Sequence, residues 1–338
     1  AAIPAGIGLF IAFLGLQDAK LVIPSESTGV TLASFNLLGG AGWGAVMPLI
    51  VAVFSLLLIA VLSHKKVKGS ILWGILGGTG LYYILGFTVK DFYKGFAETL
   101  SFDPFKPFSA FASEAFGKVF TEGFDFSAYL SADGHSVGGL VILFITTALA
   151  FCMVDMFDTL GTLYGACRGG NLLVKNDKGE LEVPNMDRAM MADAVATCTG
   201  SVLGTSTVTT FVESSAGVAA GGKTGVTSLV TAAAFAAALF FAPIAKLIPP
   251  YAYGAALIYV GVLMIGSVKD IDWKDVSVSV PAFLTIAMMP FTYNISYGIA
   301  FGLFSYVIIK AFCGEIKQIK IGTWVVTALF IAMFFLTH

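Results

Sequence analysis

Apolar residues run along this chain in long, nearly unbroken blocks, and the short stretches between them hold most of the charge. An α-helix needs about 20 apolar residues to cross the ~30 Å hydrocarbon core of a bilayer. Blocks of suitable length lie at 2–17, 44–62, 69–88, 137–166, 189–204, 225–243, 250–267, 277–293, 296–312 and 321–337, and each predicts a helix. One stretch, 205–222, sits where a crossing is needed but is not uniformly apolar. Pro281 and Pro290 predict a bent or broken span within 277–293. The stretch 89–136, with Phe102, Phe105, Phe108, Phe111 and Phe116 among serines and acidic residues, predicts short amphipathic helices lying at the membrane interface.

Composition agrees with lipid as the solvent. The 338 residues are 57% hydrophobic and 12% charged, with a mean hydropathy of +0.88. A soluble domain is nearer a quarter charged. The net charge of −2 supplies no basic field, so nucleic acid is not an expected partner. Cys152, Cys167, Cys198 and Cys313 stand singly, and no histidine lies at ligand spacing. They read as small apolar packing residues, with no metal or cofactor implied.

Alternation of the crossings can be tested on the basic residues. With 62–69 placed on the cytoplasmic side, 13 Lys and Arg fall inside and 6 outside, although the outer side owns the longest loop. This is the positive-inside bias, and it requires 205–222 to count as a crossing.

The chain also echoes itself. Ala5–Gly15 aligns with Ala256–Gly266, each followed shortly by a Lys/Asp pair, and Gly69–Gly74 aligns more faintly with Gly298–Leu303. The paired segments cross in opposite directions, as in the inverted repeats of secondary transporters. The second repeat then has four segments ahead of its tail. On that count about four crossings are expected ahead of the first tail. The opening Ala-Ala-Ile-Pro lacks a basic n-region, so a signal peptide explains it poorly. A trimmed terminus and a start inside a longer protein both stay open.

Few carboxylates lie at membrane depth, where each costs at least ~2.5–3.5 kcal/mol. Asp155 and Asp158, at i and i+3, share one helix face, and Glu213 lies within 205–222. Asp193 sits nearer the cytoplasmic end of its segment. Hydrogen bonds to Thr159 and Thr162 that merely fix helix packing are one reading of the aspartates. Substrate and proton handling is the other. Thr205–Phe211 is rich in hydroxyls and β-branched residues, so it predicts a short strand rather than a helix. Irregular backbone at this depth must face protein or a water-filled cavity. A strand leading into a small-residue helix, with Glu213 at the junction, is the discontinuous pattern of transporter substrate sites. Paired carboxylates suit a flat heterocycle with parallel N–H donors.

Four stretches together resemble the AzgA-type guanine/hypoxanthine permeases of the xanthine/uracil permease (nucleobase–ascorbate transporter) superfamily. They are Asp155–Leu163, Arg188–Thr197, Gly204–Gly225 and Val280–Pro290. Thr209–Ser214 is also similar to the wider superfamily's Thr-Thr-Tyr-x-Glu-Asn signature, departing at Phe211 and Ser214. The resemblance implies an all-α polytopic membrane protein. It would be part of a seven-plus-seven inverted-repeat transporter fold, with core and gate domains and a short half-strand in a discontinuous segment. Residues 1–88 would close the first repeat on the gate side, and 89–136 would form the outer loop. Residues 137–243 would be core segments, 244–313 gate segments and 314–338 an extra C-terminal segment. The implied cargo is a purine nucleobase, imported with protons rather than Na⁺ across the plasma membrane. Asp155, Phe157, Phe211, Val212 and Glu213 would meet the base. Asp155, Asp158 and Thr210 would couple the proton or support the site. No cofactor is implied, and a homodimer is compatible. A xanthine/uracil-type or anion carrier on the same fold and a non-transporting truncated fragment are the competing readings.

Overall fold

The structure, a computed structural model, describes residues 1–35, 42–88, 109, 111–131, 136–176, 179, 181–240, 245 and 247–337. Its helices follow the apolar blocks closely. They are α1 (Ala2–Asp18), α2 (Trp43–His64), α3 (Ser70–Thr88), the short α4 (Lys118–Thr121) and α5 (Ser127–Leu130), α6 (Val137–Gly169) and α7 (Met186–Leu203). Then come α8 (Ser214–Ala219), α9 (Gly225–Phe240), α10 (Pro250–Ile265), α11 (Val276–Thr292), α12 (Ile295–Phe312) and α13 (Ile321–Thr337). Strands are confined, among the described residues, to two small antiparallel ladders. β1 (Val22–Ser25) pairs with β2 (Gly29–Leu32), and β3 (Val174–Lys175) with β4 (Leu181–Glu182). Among the described residues, five helical spans are long and apolar enough to cross a membrane. Phe291 and Phe312 are almost fully exposed, which a lipid solvent tolerates and water does not.

One expectation changes. Pro281 and Pro290 are both buried inside the continuous helix α11, which does not break at either. The Thr285 hydroxyl donates back to the Pro281 carbonyl at 2.9 Å within the same helix. The interfacial helices expected over 89–136 can be followed only in part. Phe102, Phe105 and Phe108 lie outside the described residues, while Phe111–Ala115 forms a single π-helical turn ahead of α4 and α5.

The chain forms two compact units. The first comprises Ala1–Leu9, Phe111–Val212 and Met264–His338. Its densest element is the α11–α12 hairpin. A Cβ at Gly302 would overlap Thr285 Oγ1 and lie 3.1 Å from the Pro281 carbonyl oxygen. One at Gly298 would lie 2.7 Å from the Thr285 carbonyl oxygen. Small residues thus let the backbones approach, which is how helices associate where lipid removes the hydrophobic drive. The Asn294 side chain caps α12, accepting from the Ser296 and Tyr297 amides at 2.8 and 3.4 Å.

The second unit comprises Phe10–Ala110 and Glu213–Leu263. Here the α2–α3 hairpin closes on Gly74, Gly77 and Gly78, which face Ile59, Leu58 and Ser55. Ile59, Ala255 and Ala256 form a buried cluster with Leu56, Ile71, Ile75 and Tyr259 packed around it. α1 meets α10 backbone to backbone. A Cβ at Gly15 would stand 2.5 Å from the Gly254 carbonyl oxygen, and one at Gly254 would stand 2.9 Å from that of Gly15. Each unit therefore holds a hairpin whose second helix brings glycines to the first, and those second helices carry the fainter of the two sequence echoes.

These crossings predict that Gly302→Ala destabilises the protein by about 1–3 kcal/mol through overpacking. Gly322→Ala, with nothing within 4 Å of its Cβ, should be neutral or slightly stabilising. Unfolding midpoints of the detergent-purified variants check this, and equal midpoints would refute the crowding.

Candidate functional site

α6 begins at Ser136, whose hydroxyl accepts from the Gly139 amide at 3.1 Å, and runs 33 residues to Gly169. Near its far end Arg168 forms an ion pair with Asp270. Asp155 and Asp158 therefore project from the middle of a long continuous helix, both half-buried. α7 carries Asp193, which is buried at 8% exposure, and Thr197 one turn on.

α7 ends at Gly204, which is left-handed at φ 74°. A Cβ there would also strike the Ala115 backbone, so the position needs glycine for two independent reasons. The preceding loop is tied to the same end of α7, because the Gly117 amide donates to the Val202 carbonyl at 3.0 Å. Residues 205–211 are then irregular. The expected half-strand has no ladder partner among the described residues, and threonine hydroxyls make its contacts instead. The Thr197 hydroxyl donates to the Val208 carbonyl at 2.6 Å and holds the segment against α7.

The remaining hydroxyls reach carboxylates. Thr207 contacts Asp155 Oδ1 at 3.3 Å and Thr209 contacts Asp158 Oδ2 at 3.5 Å. Thr159 donates to Asp193 Oδ2 at 2.7 Å and Thr210 to Asp193 Oδ1 at 2.9 Å. Thr159 and Thr209 meet at 3.0 Å. The first unit thus gathers Asp155, Asp158 and Thr210 around a centre that residue spacing did not single out, Asp193. Its two accepted bonds account for its ionisable group at depth, since a buried carboxylate needs donors. The signals were present as Asp193 and Thr197 at i and i+4, facing a hydroxyl run. What was missing was which helix the run lies against.

The other expected residues are placed differently. Phe157 stacks on Phe330 of α13, with centroids 5.7 Å apart and planes at 26°, and lines a 290 Å³ cavity with Pro281 and Thr285. Phe211 is exposed and Val212 buried at the end of the irregular segment. Glu213 belongs to the second unit, where it precedes the six-residue α8 and makes no capping bond. There it lines a 960 Å³ cavity with Ser63, Lys66, Lys68, Tyr253 and Tyr259. Among the described residues no three His, Cys, Asp or Glu side chains are grouped to hold a metal.

The sequence pattern of the permease family, of xanthine/uracil type, matches residues 2–301. The chain belongs to this permease family. The permease is 39% identical over 330 residues to a protein of Methanocaldococcus jannaschii named as a permease without a stated substrate, covering 97% of this chain and 66% of that one. It is 37% identical to a guanine/hypoxanthine permease of Bacillus subtilis, with 99% and 69% coverage. It is 32% identical to an adenine permease of Escherichia coli, with 97% and 65% coverage. The chain spans about two thirds of the length of these curated relatives. It is a multi-pass membrane protein of a family of permeases.

Gly204→Ala should lower the yield of folded permease by forcing a strained φ onto a backbone contact, at a cost of ~1–3 kcal/mol. Size-exclusion profiles of the alanine variant check this. A wild-type monodisperse peak at wild-type yield would contradict it.

Proposed function

We propose that this permease imports purine nucleobases, with hypoxanthine, guanine and adenine as candidate cargo, across the plasma membrane in symport with protons by alternating access. The observation that carries the reading is the irregular segment 205–211, whose hydroxyls meet Asp155 and Asp158 of α6 and Asp193 of α7. Such a break exposes backbone donors and acceptors at depth and is where transporters bind polar cargo. The Bacillus subtilis and Escherichia coli relatives are named for guanine/hypoxanthine and adenine, which supports a flat, N–H-bearing ligand.

In this reading Glu213 accepts N–H bonds from one edge of the base, and the backbone at Phe211 and Val212 faces the ring. Asp155 completes recognition and takes part in proton coupling, with Asp158 and Thr210 in support. Residues 1–88 and 244–313 act as gate and 137–243 as core. An anion carrier is disfavoured, because carboxylates at the site would repel the cargo.

A charge-assisted hydrogen bond contributes ~1.5–3 kcal/mol, so losing one costs roughly 10- to 100-fold in affinity. Glu213→Gln and Asp155→Asn in the full-length protein should each reduce uptake of labelled hypoxanthine by about that factor. Uptake at wild-type rates in both variants would sink the assignment.

A further inference from the structure

The line of contacts from Asp158 to Asp193 has one fewer hydroxyl proton than it has links. Asp158 Oδ2 lies 3.5 Å from Thr209 Oγ1, which lies 3.0 Å from Thr159 Oγ1, which lies 2.7 Å from Asp193 Oδ2. Each threonine owns one hydroxyl proton. With both carboxyls ionised, each hydroxyl turns outward to its own carboxylate. The two threonine oxygens then face each other at 3.0 Å with no proton between them. One added proton fills every link. Held on Asp158, it gives Asp158 O–H to Thr209, Thr209 O–H to Thr159, and Thr159 O–H to Asp193. Held on Asp193, every bond runs the other way. Thr210 donates to Asp193 Oδ1 in both arrangements, so the proton on Asp193 resides on Oδ2.

We propose that Asp193 is a proton carrier of this permease, exchanging one proton with Asp158 through the hydroxyls of Thr209 and Thr159. The proposal rests on the symport reading above. In the transfer the Asp158 O–H breaks as a new O–H forms on Thr209. Thr209 passes its original proton to Thr159, and Thr159 passes its own to Asp193 Oδ2. Net movement is one proton, with no electron and no co-reactant. Both hydroxyls are regenerated.

The links are unequal, and this places the control point. Two lie within ordinary hydrogen-bond range, whereas the Asp158–Thr209 link is about 0.7 Å longer than the usual O–H···O distance. Thr209 belongs to the irregular segment that ends in Phe211 and Val212, while Thr159 is fixed on a helix. A shift of the segment by under about an ångström closes the relay, so a cargo that moves the segment also sets proton passage.

The charged surroundings are sparse. From α6, Asp155 acts on Asp193 through space, and Asp158 reaches it only through Thr209 and Thr159. The segment 205–212 carries no titratable side chain. α7 itself has Asp187 and Arg188 more than one turn before Asp193, and from α4 Lys118 pairs with Glu122 beside the far end of α7. Thr162, fully buried one turn beyond Asp158, has a hydroxyl with no hydrogen-bond partner among the described residues.

The test uses the full-length protein in proteoliposomes, with purine-driven proton uptake, purine counterflow and equilibrium purine binding measured side by side. Thr159→Val removes the central hydroxyl at nearly constant shape, and Asp193→Asn removes the carrier. Both should cut protons moved per purine by roughly a hundredfold, and in Thr159→Val binding and counterflow should persist. Thr159→Ser should restore coupling. Wild-type coupling in Thr159→Val would overturn the relay and leave the symport reading intact. Purine uptake without proton uptake in the wild type would overturn the symport reading itself. If the valine variant does not insert, the infrared spectrum of the wild type decides. A protonated-carboxyl band at neutral pH, altered in Asp193→Asn, supports the shared proton, and its absence overturns it.

Discussion

A carboxylate inside a membrane bundle must find hydrogen-bond donors in the protein, because lipid offers none. In this permease threonine hydroxyls are the donors, and much of the first unit's local structure follows from delivering them. Asp193 takes one from α6 and one from the irregular segment, so the three pieces of chain are held together by a charge. The segment stays irregular because its residues spend their side-chain bonds on carboxylates and on the neighbouring helix. Gly204 then provides the left-handed turn that aims it there.

The membrane architecture was largely legible in the sequence because lipid imposes a length rule on apolar blocks. Hence α2, α3, α6 and α12 fall within a few residues of the blocks that predicted them. The break near residue 205 was legible for the complementary reason, since a hydroxyl-rich, β-branched run has no business in a lipid-facing helix. What composition could not supply was pairing. A strand was expected for Thr205–Phe211, yet strand structure depends on a partner at the right distance, and here hydroxyl contacts take its place. Proline is a weaker breaker inside a packed membrane bundle than in water, and α11 runs through Pro281.

Asp193 shows the same limit more sharply. Its neighbours in sequence are methionines and alanines, which say nothing about the hydroxyls that reach it from residues 159 and 210. Phe157 illustrates the converse. Two residues from Asp155, it looks like a stacking partner for a ring, but a helix turns it away onto Phe330.

The meeting of α1 and α10 at Gly15 and Gly254 puts a carbonyl oxygen of each helix where a Cβ would stand on the other, with the side chains of Ile258 and Asp18 beside them. The crossing therefore works as a gauge. It sets how near the two helix axes stand, and even one methyl added at either glycine would widen it.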